Sequence, residues 1–346
     1  MGDLLWERFP LVAQHSHARQ WLGMQIKYGL APNTIDAYGR ALEDYLAFCA
    51  QHSVAPLSAT REHIAAYVHY LASRPRRARH GTPVTTSGLA NATMQQRLTG
   101  VRLFYDVLVQ DGLRSDNPVG RGHYTPGKCF GGQRARGLIP HFHRLPWIPT
   151  DEQWPQLLAA AQSESLRNRV MLALAYDAGL RREELCSLAI NDIDFSHRLL
   201  SIRAETTKNR QSRVVPYSAA TGELLAAWLR RRRELSQAPG SLFLSESRRN
   251  RSDPISIWTW TKVVEGIADH AGLPRFTTHT LRHLCLTDLA RADWDIHEIA
   301  LFAGHRSIQT TLQYIHLSGR DLAEKLERSM ASVHELRTRS MQEVFN

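Results

Sequence analysis

The chain is poor in several features, and each shortage removes a class of explanation. Among its 346 residues are only four cysteines, Cys49, Cys129, Cys186 and Cys285, and no two form a C-x-x-C pair. That spacing supports neither a disulfide scaffold nor a zinc knuckle, and three of the four sit in apolar, helix-like stretches that read as reduced core. No apolar run approaches the length that spans a bilayer, and the N-terminus lacks a basic-then-apolar signal pattern. The expectation is a soluble, cytoplasmic protein with no membrane partner. The G-x-x-x-x-G-K-[ST] loop that cradles nucleotide phosphates is missing, as is any clustered acidic metal site. Lysine is scarce too: Lys27, Lys128, Lys208, Lys262 and Lys325 are the only five among 43 basic residues.

What is abundant is arginine. The formal net charge is +10, which points to a polyanionic partner. A guanidinium presents a planar fork suited to phosphate oxygens, so the bias fits nucleic acid, although a GC-rich genome produces the same bias.

The length allows two domains, each with its own core. The first third reads as helical. Asn33 can cap a helix in which Ile35, Tyr38, Leu42, Tyr45, Leu46 and Cys49 recur at helical spacing. Thr60 opens a second, with Ile64, Tyr67, Val68 and Leu71 on one face, and a third runs from about Asn91 to Asp111-Gly112. Between them, residues 74–80 form a basic turn too polar and broken for core. A three- or four-helix module over 12–117 is expected. Residues 118–148, rich in glycine, proline, arginine and histidine, read as a linker. A further domain over 149–346 opens with capping-box spacing at Thr150 and Gln153. It holds a buried helix around Val170–Tyr176 and β-prone segments at 193–204 and 214–217 flanking a polar turn. Helices follow at about 221–237, 254–271, 279–291, 295–303 and 307–316, with one more through 319–340. The fold class is mainly α with a small antiparallel β-sheet.

Four segments of this second region concentrate cationic and proton-transferring groups. They are Gly179-Leu180-Arg181-Arg182-Glu183-Glu184-Leu185, Thr207-Lys208-Asn209-Arg210-Gln211-Ser212-Arg213, His279-Thr280-Leu281-Arg282-His283, and Ala303-Gly304-His305 with Tyr314 nine residues on. Singly, each has an ordinary explanation. Arg181 suits an exposed helix start, Lys208 a solvated turn, His279 a helix cap, His305 a helix C-terminus and Tyr314 a core position. His279 and His283, four apart on one helix face, have the spacing of a zinc pair, but Thr280 stands where a metalloprotease carries glutamate.

Together, in this order and at these separations, the motifs resemble those of the tyrosine recombinases, the λ-integrase family that includes the Xer resolvases. The resemblance is strongest over about 165–318 and rests on helix pattern alone over about 15–115. It implies an N-terminal helical DNA-binding module of the SAM-like type followed by a tyrosine-recombinase catalytic domain. Residue by residue it implies that Arg181 and Arg282 bind the scissile phosphate and that Lys208 protonates the departing 5′-oxygen. It puts His279 near the nucleophile's proton, His305 on the phosphate, and makes Tyr314 the nucleophile. Glu184 matches the family's helix-start glutamate.

The chemistry asks for such groups. A phosphodiester is already negative and its alkoxide leaves poorly, so guanidiniums that offset the charge growing in the five-coordinate transition state lower the barrier. A tyrosine oxygen can form a reversible phosphate ester, but a free phenol with pKa about 10 needs a base or electrostatic help. The resemblance implies a 3′-phosphotyrosyl intermediate that stores the phosphodiester energy, hence no cofactor, neither ATP nor metal. The implied partners are double-stranded DNA and further copies of the chain in a homotetramer on synapsed sites, with a partner recombinase left open. Phosphate contacts are expected from the basic turn at 74–80 and from Arg121, Arg134 and Arg136; about six such contacts give a salt dependence of slope near −5. The helix at 319–340, with Leu322, Leu326 and Met330 along one side, is expected on a neighbouring subunit or back on its own domain. The long linker and tail depart from compact relatives and suit a recombinase of a mobile element, acting in integration, excision or resolution. Two alternatives stay open: a regulatory DNA-binding protein without catalysis, and a type IB topoisomerase, which would relax supercoiled DNA lacking a specific site.

Overall fold

The computed structural model describes residues 6–74, 88–120, 138–139, 146–207 and 210–315, together with Val333 and Arg337. Its contacts divide the chain into two compact units, Met1–His143 and Arg144–Asn346.

The first unit is helical: α1 (Pro10–Gln14), α2 (Ser16–Lys27), α3 (Pro32–Gln51), α4 (Arg61–Ser73) and α5 (Asn91–Gln110). The apolar positions spaced along α3 and α5 face inward, with Leu42, Tyr45 and Leu46 meeting Leu98, Val101 and Tyr105 in one cluster. Thr60 caps α4, accepting the His63 N–H. Asn33 does not cap α3. That helix begins one residue earlier at Pro32, where a proline's missing N–H costs nothing. Helices α1 and α2 were not legible from periodicity, yet they bury Phe9, Val12, Trp21 and Leu22 against α3 and α5. Of the basic turn, Arg74 is described, and it is engaged: its Nη1 lies 2.6 Å from Asp44 Oδ1. Residues 75–80, Arg121, Arg134 and Arg136 lie outside the described residues.

In the second unit, α6 (Gln153–Ala161) starts with the expected reciprocal bonds, Thr150 N–H to Gln153 Oε1 and Gln153 N–H to Thr150 Oγ1. Then come α7 (Leu166–Asp177) and the short α8 (Arg182–Cys186). A three-stranded antiparallel sheet follows in the order β1-β2-β3, from β1 (Ile193–Asp194), β2 (Leu199–Ile202) and β3 (Arg213–Pro216), with Leu200 opposite Val215. Helices α9 (Ala219–Leu235), α10 (Ile257–His270), α11 (Thr278–Arg291), α12 (Ile296–Ala303) and α13 (Ile308–Ile315) complete the described chain. The fold is mostly helical with one small sheet. Leu174, Leu180, Leu281 and Leu286 belong to the core cluster that carries α7, α8 and α11, and α11 packs against α7, α12 and α13. This core fixes the ends of α8, α11, α12 and α13 next to one another.

Candidate active site

The site is built on two breaks in the helices. Gly179, between α7 and α8, and Gly304, at the C-terminus of α12, both have positive φ (54° and 63°). A side chain at either would also crowd its neighbours: a Cβ on Gly179 would lie 3.1 Å from the Phe302 ring, and one on Gly304 3.1 Å from the Arg213 side chain. Both turns aim carbonyls at arginines. The Gly179 carbonyl accepts Arg282 Nη1 at 2.6 Å, and the Gly304 carbonyl accepts Arg181 Nη2 at 3.2 Å. Arg282 also donates to the Ala303 carbonyl at 2.5 Å.

Beneath the arginines lies Glu184, only 1% exposed. One oxygen accepts Arg181 Nη1 at 2.7 Å and Arg213 Nη1 at 3.0 Å; the other accepts Arg213 Nη2 at 2.7 Å and the Arg181 N–H at 3.0 Å. Burial alone would raise this carboxyl, but the hydrogen bonds and charge of Arg213, with Arg181, outweigh it and bring it down to about 2. Arg213 reaches from β3 and also donates to the Phe302 carbonyl. It therefore ties the sheet to α8 and α12 and holds the carboxylate that orients Arg181. Burial and the charge of Arg181 lower Arg282 to about 10, so it stays a cation at neutral pH. Arg181 and Arg213 share one carboxylate while Arg282 is held by carbonyls and His305, leaving a concentrated positive field.

Tyr314 comes to this field from α13. It is 3% exposed, and its ring stacks on His305 with centroids 6.0 Å apart and planes 10° from parallel. His305 bridges the two sides, its Nε2 3.0 Å from Arg282 Nη2 and its Nδ1 2.9 Å from Thr311 Oγ1 on α13. The phenolic oxygen is met by His283 Nδ1 at 2.9 Å. Burial raises the phenol above its ordinary value, while Arg282, Gln313 and Arg181 act against that rise. Burial, Arg282 and the other arginines hold His305 at about 3, and burial with His279 and Arg282 holds His283 at about 4. Both imidazoles are therefore neutral at physiological pH.

A cluster of arginines beside a buried phenol, with a histidine on its hydroxyl and Glu184 fully engaged, is suited to hold an anion and deliver an oxygen nucleophile to it. Comparison with known proteins gives this arrangement its context. The phage integrase family model matches residues 149–320, and a phage integrase N-terminal SAM-like domain matches 22–114. The XerC tyrosine recombinase of Mycobacterium tuberculosis is 30% identical over 253 residues, 70% of this chain and 78% of that protein. The XerC of Corynebacterium glutamicum is 28% identical over 248 residues, 70% of this chain and 73% of that protein. The chain belongs to the phage integrase family of tyrosine recombinases. It is thus a DNA strand-cleaving and strand-rejoining enzyme. Among solved structures, the XerH recombinase bound to its difH substrate superimposes with a TM-score of 0.63 at 20% identity, covering 85% of this chain and 79% of that one. The Tn1549 transposon integrase with a circular-intermediate DNA also scores 0.63, at 18% identity over 89% of this chain and 98% of that one. At such identities the likeness is one of fold.

Of the residues singled out in this recombinase's sequence, Arg181, Arg282, His305 and Tyr314 converge. His279, in the first turn of α11, lies on the Glu183 and Arg181–Arg182 side, its pKa lowered by burial and Arg282 and partly restored by Glu183. Its ring centroid is 5.8 Å from that of His283. Lys208 lies outside the described residues; of its described neighbours, Thr207 Oγ1 accepts the Gln211 N–H at 3.0 Å. Two participants escaped the sequence reading. Arg213 had served only to mark the end of a motif, and His283 had been weighed only as half of a metal pair. For His283 the signal was present: it directly follows Arg282 and shares a helix face with His279. No helix among the described residues is long and apolar enough to cross a membrane.

Proposed function

We propose that this protein is a site-specific recombinase that uses Tyr314 as its nucleophile and forms a 3′-phosphotyrosyl intermediate on double-stranded DNA. Arg181 and Arg282 take the non-bridging oxygens of the scissile phosphate, with His305 hydrogen-bonding the same group. Lys208 protonates the departing 5′-oxygen, and His279 lies beside the phosphate at the start of α11. The observation that carries this reading is the meeting of Tyr314 with Arg282 through His305, which brings α13 onto α11. The module at 12–117 grips core DNA, 118–148 is the linker, and 149–346 is the catalytic domain. The protein acts as a homotetramer on two synapsed sites, with a partner recombinase where the two sites differ, in the cytoplasm. The long Gly/Pro-rich 118–148 segment favours service to a mobile element, by integration, excision or resolution.

The test is a nicked duplex, selected from a randomised pool for binding to the protein, so that the short cleaved fragment diffuses away and the intermediate accumulates. An adduct that survives SDS with the native protein, and is absent with Tyr314→Phe, is the expected result. No adduct on DNA that the protein binds overturns it in favour of a regulatory DNA-binding role.

A further inference from the structure

The function proposed above assigns no residue to receive the proton of Tyr314 at bonding distance; His279 was expected near it. The geometry points to His283: we infer that its Nδ1 takes the Tyr314 phenolic proton during strand cleavage and returns it during rejoining. This inference rests on Tyr314 being the nucleophile and deepens that reading.

Position is the first argument. His283 Nδ1 stands 2.9 Å from Tyr314 Oη, within the range for direct proton transfer. The two rings are 5.5 Å apart at the centroids. His283 is fixed in its turn: it lies on α11 one residue after Arg282, whose guanidinium is tied to the Gly179 and Ala303 carbonyls. Base, cation and nucleophile are thus parts of one rigid corner. His305, the other histidine on the tyrosine, cannot fill this role with its bonded nitrogens, because Nε2 faces Arg282 and Nδ1 faces Thr311.

Charge is the second argument. The groups facing His283 are His279 and Arg282 on its own helix, Tyr314 on α13 and His305 before α13. None is an anion, so the imidazole rests neutral and has a lone pair to offer. Of the two partners the phenol is the stronger acid, and it donates. When a phosphodiester settles against Arg181 and Arg282, its negative charge offsets the arginine charge that weakens His283 as a base. The base therefore gains strength as the substrate arrives, and the tyrosine stays protonated until then.

The steps balance. In cleavage the Oη–H bond breaks toward His283 Nδ1 while Oη bonds to phosphorus. The bond from phosphorus to the 5′-oxygen breaks, and that oxygen takes the proton of Lys208. In rejoining, a 5′-hydroxyl gives its proton to the neutral lysine and attacks phosphorus. The phosphotyrosyl bond breaks, and the imidazolium of His283 restores the phenol. No proton is gained or lost over the cycle.

His283→Asn sets a carbonyl oxygen near the Nδ1 position, so it keeps an acceptor for the hydroxyl but cannot take the proton. Single-turnover adduct formation is measured on the nicked duplex over a range of pH, with DNA affinity and circular dichroism as checks on folding. The expected result is a loss of about 10²-fold near neutrality, the scale of general base catalysis. The deficit should shrink as pH rises, because hydroxide then does the work of the histidine. A fluorinated tyrosine at position 314, a more acidic phenol, should restore much of the His283→Asn rate. His283→Asn cleaving like the native protein, or a deficit constant in pH and untouched by the fluorinated phenol, overturns the inference and leaves Tyr314 as nucleophile. If the native protein forms no adduct, both readings fall together.

Discussion

The buried tyrosines of the two units differ in what their hydroxyls meet. In the first unit Tyr45, Tyr67 and Tyr105 are fully buried. Tyr45 shares a 2.6 Å bond with the Tyr105 hydroxyl, which donates to the Pro56 carbonyl, and Tyr67 donates to Asp44. Burial is the main cause that drives all three phenols well above their ordinary value. Their acceptors are a carbonyl, another phenol and the Asp44 carboxylate, which is already paired with Arg74 and Arg97. Tyr314 is buried as deeply, but its oxygen faces an imidazole, and Arg282 and Arg181 bear on it. Depth does not set Tyr314 apart from these core tyrosines. The acceptor and the local field do.

The sharpest way to break the comparison is to exchange hydroxyls. Tyr314→Phe should reduce the SDS-stable adduct to the detection floor, whereas Tyr105→Phe should leave cleavage at the native rate in protein that remains folded. Next in size is Arg282→Ala, expected to slow adduct formation by about 10²–10³-fold or more, as for other preorganised donors to a developing oxyanion. Arg282→Lys should recover only part, because one ammonium cannot serve the Gly179 and Ala303 carbonyls and a phosphate together. Glu184→Ala should cost about 3–5 kcal/mol in urea denaturation, since it strands the buried Arg213 and frees Arg181. No single ion pair described in the first unit is so deeply buried on both sides, so Asp44→Ala, opposite Arg74 and Arg97, should cost less.

Stability should also depend on pH, most strongly in the second unit. His305 and His283 are held at about 3 and about 4 in the fold, below the ordinary 6.5 of an unfolded histidine. Between those values the unfolded chain binds protons that the folded chain refuses, so stability rises with pH across this window. It is fully present above about 6.5 and is lost as acid is added. Glu184, held at about 2, extends the loss in the same direction below the usual carboxylate range. Hydrogen exchange of α11 and α12 amides should therefore speed up on going from neutrality to about pH 5, more than that of α3 and α5 after correction for intrinsic rates. His305→Asn should flatten the difference.

Much of this was readable from the chain, for reasons that differ by residue. The inward faces of α3 and α5 show as apolar positions at helical spacing, and β2 and β3 show as β-prone runs around a polar turn. The fold class and the convergence of Arg181, Arg282, His305 and Tyr314 were anticipated from four short motifs. Helix α2 was hidden because its buried Ala18, Trp21 and Leu22 are set among histidine, arginine and glutamine. The partnership of His283 with Tyr314 was hidden by its nature. It joins positions 31 apart across two helices, and only the packing of α11 on α13 decides which of two histidines four residues apart meets the phenol. Arg213 was hidden likewise, its bonds to Glu184 and the Phe302 carbonyl joining a strand to two helices.

The smallest expected effect tests the inert side of the comparison. Tyr105 spends its one proton on the Pro56 carbonyl, so the Tyr45–Tyr105 bond must use the proton of Tyr45. Tyr45→Phe then removes a single neutral hydrogen bond and leaves Tyr105 still donating, a loss of about 1 kcal/mol. Tyr105→Phe is costlier by up to about 1–3 kcal/mol, because the Tyr45 hydroxyl keeps its proton and loses its acceptor in a dry core. The Pro56 carbonyl suffers less, since Arg114 Nη1 also approaches it at 3.4 Å. Native-state exchange of α3 and α5 amides reads this unit separately from the other. Equal losses for the two variants would mean that the proton order along Tyr45, Tyr105 and Pro56 is not the one given. The larger loss at Tyr105 would show these phenols to be fixed donors, held for structure and closed to chemistry.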